Sequence, residues 1–294
     1  MCDIHSLNEK FVEYGILDQK VRSSLLLTLN DHLPRFKPRC LLVSGPSGSG
    51  KTYLANILKH ATAKTMVTID AKDLSEVGYS GKDPISIFEK LLSATSGNIE
   101  EAENGIIHLD EFDKLASVSQ FEKDVNGVGV QQSLLKPLDG FDIILQSLQK
   151  SRMNPSGSII LNTNNIIFIF TGSFKNQEIY SYSELISVGF LPELAYRIDF
   201  YLHLKQPSTM DLASKIDTDR VLEDAAEFAK KYGLEISFPK NFNYSLAKAS
   251  SELDGNYRTL HFILKNTIYR KIVEMVVARH AYYNFKESDL ELLH

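Results

Sequence analysis

The chain has 294 residues, enough for two domains and a sizeable core. Hydrophobic residues make up 43% and charged residues 23%, and the formal net charge of −5 gives no global basic field of the kind nucleic-acid binders carry. Two cysteines, Cys2 and Cys40, exclude a disulfide framework and a four-cysteine zinc module.

Residues 1–38 read as helix, with Val12, Ile16, Leu17, Val21, Leu25 and Leu26 at near-helical spacing and Pro34 and Pro38 closing the segment. Asp3 and His5 near the start, without an apolar core after them, give no secretory signal. No apolar run exceeds the short Ile166–Phe170 stretch, so no bilayer span is read and the cytoplasm is the expected location. Cys40–Val43 is a short apolar strand, followed by a Gly-rich turn and a helix from Lys51 to Ala63. Further strands are expected at Met66–Ile69, Ile106–Leu109 and Ile166–Phe170, with helices at Pro84–Leu92 and Val130–Leu138 between them. This alternation predicts an α/β fold with a mostly parallel sheet covered by helices. After Pro207-Ser208 the pattern becomes helical, at Asp219–Tyr232, Asn243–Leu253 and about Asn256 to Arg279. The expected domains are therefore 1–206, nucleotide-binding, and 207–294, small and mostly helical.

The turn after the first strand, Gly45-Pro46-Ser47-Gly48-Ser49-Gly50-Lys51-Thr52, fits G-x-x-x-x-G-K-[ST]. Glycines let the backbone wrap an anion with its N–H groups inward, and the helix N-terminus adds a positive end. Lys51 is the candidate for the β- and γ-phosphates of ATP, and Thr52 for Mg²⁺. The strand Ile106–Leu109 then ends in Asp110-Glu111. Asp110 is a second candidate Mg²⁺ holder, and Glu111 suits polarisation of an attacking water. That pairing favours a hydrolase over a small-molecule kinase. His108, between Ile107 and Leu109, reads as a strand histidine satisfied by a neighbour rather than a ligand or a pH sensor.

With Gly105–Lys114 added, these motifs resemble the AAA+ ATPases and, within them, the ClpX protein unfoldases. Leu74–Gly81 resembles the ClpX pore loop, and Asp124–Lys136 the stretch with its second pore loop. Leu191–Arg197 resembles the arginine-finger segment, and Gly255–Leu260 the sensor-2 motif. The similarity runs from about residue 11 to 280. It implies a P-loop AAA+ fold, a homo-oligomeric and six-membered ring, and a protein substrate. Arg197 would reach the γ-phosphate in a neighbouring subunit, and Arg258 would contact nucleotide from the small domain. Thr171 is the sensor-1 candidate with Ser173 as its rival, Ile16 would touch adenine, and Tyr79 would grip polypeptide in the pore.

The chain departs from ClpX in three places. It starts almost at the ATPase core, without a zinc-binding domain. Only Lys175–Tyr182 joins Phe174 to Ser183-Glu184-Leu185, leaving no Ile-Gly-Phe tip, so docking on the ClpP peptidase is not expected. Gln149–Asn154 carries only Lys150 and Arg152 as basic residues, so substrate preference at the pore mouth should differ. The interval from Lys51 to Asp110 also leaves no room for the inserted domain of HslU. Two competing readings are a nucleic-acid remodeller, disfavoured by the acidic balance, and a slow nucleotide-gated assembly scaffold.

Overall fold

The computed structural model describes residues 4–13, 16, 18–29, 39–75, 83–116, 125–146 and 158–293. The chain divides into two compact units, one of Met1–Pro46 with Lys51–Leu204, the other of Ser47–Gly50 with Lys205–His294.

The first unit begins with helices Ile4–Glu13 and Gln19–Leu29. Its strands are β1 (Arg39–Ser44), β2 (Met66–Asp70), β3 (Ile106–Asp110), β4 (Asp142–Gln146), β5 (Ser158–Asn162), β6 (Ile167–Gly172) and β7 (Phe200–His203). Five of them form a parallel sheet in the order β2-β3-β6-β1-β7. Helices Lys51–Thr62 and Ser86–Ala94 follow β1 and β2, as crossovers between parallel strands require. The expected parallel sheet with helical cover is therefore present. Strands β4 and β5 form a separate antiparallel pair that the apolar pattern did not suggest.

The central strands are apolar on both faces, which is why they read as continuous hydrophobic runs. Side chains alternate along a strand, so each strand supplies two cores. Cys40, Leu42, Ile107, Leu109, Phe168 and Phe170 face one core, with Phe88, Phe112 and Leu134. There Phe112 stacks on Phe170 with ring centroids 4.3 Å apart. Leu41, Val43, Ile106, Ile167 and Ile169 face the other, with Leu54, Ile57 and Leu58 of the Lys51–Thr62 helix and with Leu7, Phe11 and Leu25. On β3 this parity puts His108 and Asp110 on the same face as Ile106, the face that the Lys51 helix covers.

The second unit is mostly helical. Thr209–Thr218, Val221–Lys231, Phe242–Leu253 and Tyr257–Ile263 bury Leu212, Ile216, Leu246, Leu260 and Ile263 in one cluster. Ser208 starts the first of these helices with a capping box closed by Asp211. The long helix expected from Asn256 runs as Tyr257–Ile263, a π-helical stretch Leu264–Tyr269 and Arg270–Val277. A short parallel pair, β8 (Glu235–Ser237) with β9 (Tyr282–Asn284), completes it. No helix among the described residues is long and apolar enough to cross a membrane.

Candidate nucleotide site

β1, β3 and β6 all end at the carboxyl edge of the parallel sheet, where open α/β sheets place their ligands. The register puts Val43 beside Thr171 and Leu109 beside Phe170, so the ends of β1, β3 and β6 are neighbours.

The turn after β1 needs its glycines. Gly48 has φ 76° and Gly50 φ 96°, a region that costs a side-chain-bearing residue. A Cβ on Gly48 would also lie 2.5 Å from Asn256 Oδ1 within the second unit. Lys51 Nζ donates to the carbonyl oxygens of Gly45 and Pro46, both at 2.7 Å. Ser49 Oγ is buried without a hydrogen-bond partner among the described residues. A buried hydroxyl with no partner is costly, and a bound phosphate oxygen would relieve it. Among the second unit's own contacts, Arg258 Nη1 donates to Ser47 Oγ at 2.8 Å, and the Tyr257 N–H to the Gly48 carbonyl at 3.2 Å.

Asp110 is the hub at the end of β3. Its Oδ1 accepts from Thr171 Oγ1 at 2.6 Å and from the Glu111 N–H at 2.9 Å, and its Oδ2 accepts from Thr52 Oγ1 at 3.1 Å. Burial opposes ionisation here, but the Thr171 hydroxyl, the Glu111 N–H and the smaller contributions of His108 and Thr52 outweigh it. The carboxyl group is held below its usual range, so Asp110 is anionic at neutral pH. An anionic carboxylate beside a threonine hydroxyl is the hard oxygen set that Mg²⁺ takes. No group of three or more His, Cys, Asp or Glu that could hold a metal on its own occurs among the described residues.

Glu111 sits in the left-handed region, φ 53° and ψ 35°. For a non-glycine residue this costs ~1–3 kcal/mol, and such strain clusters at working sites. Its Oε2 lies 3.3 Å from Lys72 Nζ, which also contacts Asp70 Oδ2 at 2.7 Å. The Asp70 and Glu111 carboxylates raise the Lys72 pKa. With side chains 55% and 45% exposed, the Lys72–Glu111 pair is solvated and loosely held.

His108 is fully buried, its Nε2 2.8 Å from Thr171 Oγ1 and its Nδ1 3.2 Å from Thr68 Oγ1. It is a strand histidine satisfied by neighbours, as the apolar flanks suggested. Burial lowers its pKa, and the Asp110 charge only partly opposes this. Ser173 is placed elsewhere: its N–H and Oγ meet the Asp113 carboxylate at 3.1 and 3.3 Å. Of the two sensor-1 candidates, only Thr171 touches Asp110.

Arg197 follows the short Pro192–Ala195 helix. Its Nε and Nη2 donate to the two oxygens of Asp139 at 2.6 and 2.7 Å, and its Nη1 donates to the Glu193 carbonyl. This fork fixes the guanidinium plane and raises its already high pKa, chiefly through Asp139. Ile16 is half-buried against the N-terminal core, its N–H bonded to the Phe11 carbonyl at 2.9 Å. Tyr79, Asp124 and the Gln149–Asn154 stretch lie outside the described residues.

Lys72 and Asp139 were not singled out in the sequence, because their role is visible only through their partners. Lys72 does carry a local signal, as a cation following a strand that ends level with Asp110 in the register.

Comparison with known proteins returns one consistent answer. A family model described as AAA domain (Cdc48 subfamily) matches residues 39–201. The chain is 28% identical over 299 residues to the ATP-dependent Clp protease ATP-binding subunit ClpX 2 of Wolinella succinogenes, covering 90% of this chain and 75% of that protein. It is 28% identical over 316 residues to ClpX of Treponema denticola, 91% of this chain and 76% of that one. Identity to ClpX of Porphyromonas gingivalis is 30% over 235 residues, 67% of this chain and 57% of that one.

Proposed function

This chain belongs to the AAA domain family (Cdc48 subfamily) and is a nucleotide-binding AAA+ ATPase homologous to ClpX; from that premise we propose that it hydrolyses ATP with Mg²⁺ in a homo-oligomeric, six-membered ring, and that turnover threads protein substrates through the ring. The observation that carries the reading is the convergence of Thr52, Thr171 and the Glu111 N–H on one anionic carboxylate, Asp110, at the carboxyl edge of the sheet.

The residues have distinct tasks in this proposal. The N–H groups of Gly45–Gly50, the Ser49 hydroxyl and Lys51 bind the phosphates. Thr52 and Asp110 hold the metal ion, which supplies neutralisation of phosphate charge. Glu111 leaves its contact with Lys72 and accepts a proton from the attacking water. Thr171 holds Asp110 in position. Arg197 reaches the γ-phosphate of a neighbouring subunit, where two planar N–H pairs suit phosphate oxygens. Arg258 contacts nucleotide from the small domain, and Ile16 borders the adenine. In this assignment residues 1–206 are the large domain and 207–294 the small one.

The relatives' printed names tie them to a Clp protease. We place this chain outside that association. The segment after β6 passes from the Phe174–Asn176 turn to the Tyr182–Ser187 helix without a docking insertion. The proposal keeps the protein in the cytoplasm, acting on proteins rather than nucleic acids or membranes.

The threading part rests on Tyr79, whose ring can grip polypeptide without reading sequence. Substitution of Tyr79 by Ala should leave ATP turnover intact and abolish ATP-driven unfolding of a protein captured by the Glu111→Gln variant. Loss of structure in that protein, followed by fluorescence or hydrogen exchange, is the readout. Unfolding that continues in the alanine variant contradicts threading through this loop.

A further inference from the structure

The hydroxyl of Thr171 has one proton and is 2.6 Å from Asp110 Oδ1, an atom that can only accept while the carboxyl group is ionised. Thr171 therefore spends its proton on Asp110. Its second contact, His108 Nε2 at 2.8 Å, must then be one in which Thr171 accepts. So Nε2 carries the hydrogen. The ring's Nδ1 lies 3.2 Å from the Thr68 hydroxyl on the neighbouring strand. Proton counting fixes the direction from His108 through Thr171 to Asp110, with Thr68 on the far side of the ring. Strand parity puts all four on one face of the sheet, on adjacent strands β2, β3 and β6.

We propose that His108 is a positioning residue for ATP turnover, whose Nε2–H locks the Thr171 hydroxyl onto Asp110 Oδ1 and so leaves Oδ2 to Thr52, the other residue that would hold the metal ion. The inference rests on the reading of Asp110 as a metal holder and deepens it. Without a donor at position 108, the Thr171 oxygen loses one of its two anchors, and its hydroxyl can turn away from Asp110. Asp110 Oδ1 then keeps only the Glu111 N–H, and the carboxylate can swing. Partners that orient a metal ligand through hydrogen bonds commonly matter by 10–100-fold when removed. A buried histidine merely filling space would not need a defined tautomer.

The test has two arms. In the nucleotide-free wild-type protein with ¹⁵N-labelled histidine, long-range ¹H–¹⁵N correlation should show His108 carrying its hydrogen on Nε2, its signal assigned by its absence from His108→Gln. A His108 ring with no hydrogen on Nε2 overturns the proposal, whatever the variants do. In the second arm, His108→Phe should lower kcat for ATP by about 10–100-fold with nucleotide affinity held within roughly threefold. His108→Gln, whose amide can donate to Thr171 and accept from Thr68, should restore most of that loss. Wild-type kcat in the Phe variant, or equal impairment of Phe and Gln, also overturns it. A Glu111→Gln control separates the two levels. If hydrolysis survives that change, the reading of the site fails and this inference with it; if hydrolysis is lost there and kcat persists in His108→Phe, the inference alone fails.

Discussion

Replacing Glu111 by Gln is expected to lower ATP turnover by ~10²–10⁴, the usual worth of a positioned general base, while ATP still binds. The amide matches the carboxylate in volume but cannot take a proton from water. Nothing that the proposal assigns to phosphate binding passes through this side chain, since Lys51, Thr52 and Asp110 are held by other contacts. The left-handed backbone at φ 53° is unaffected by a side-chain exchange at the far end, so the neighbouring Asp110 geometry should persist. The variant should therefore accumulate in its ATP-bound state. Single-turnover hydrolysis beside equilibrium nucleotide binding checks both halves. A wild type that already behaves like this variant would favour the slow assembly scaffold instead.

Arg197→Ala is expected to cost ~10³–10⁵ in turnover of the assembled protein, the range over which arginine fingers act. Stability should hardly move. The Arg197–Asp139 pair is partly exposed, with side chains 29% and 35% accessible, and pairs of that kind contribute ~0–1 kcal/mol. Arg197→Lys should not rescue, because an ammonium cannot keep both the two-pronged hold of Asp139 and a second pair of N–H groups facing phosphate. Steady-state ATPase assays with thermal melts of the same preparations would separate a catalytic loss from unfolding. A large drop in melting temperature matched by the loss of turnover would assign Arg197 a structural task.

Much of the large unit was legible because its signals are local. A buried parallel strand reads as an unbroken apolar run, as in Cys40–Val43 and Ile166–Phe170, and the phosphate loop is a contiguous string whose glycines the backbone demands. The strands β4, β5, β7, β8 and β9 were not legible. The β4–β5 pair exposes Ile144 and Ile160, so its alternation is obscured by apolar residues facing outward. β8 and β9 have three residues each, too few for any period to show. At the site, Lys51, Thr52, Asp110 and Glu111 follow from spacing, whereas the pairing of Thr171 rather than Ser173 with Asp110 depends on the register of β6 against β3. The partners Lys72 and Asp139 are long-range contacts that no single stretch of sequence encodes. His108 was read as a satisfied strand histidine; which atoms satisfy it, and hence which tautomer it takes, required the neighbouring strands.

The central claim is that each hydrolytic site is shared between two subunits, and mixing two inactive variants tests it most directly. Glu111→Gln retains Arg197, and Arg197→Ala retains Glu111. In a mixed assembly some sites pair an intact Glu111 with an intact Arg197 from the neighbour. ATP turnover of the mixture should therefore rise well above the sum of the two variants measured alone, and should vary with their ratio. Turnover equal to that sum at every ratio, under conditions where the subunits co-assemble, would contradict the account.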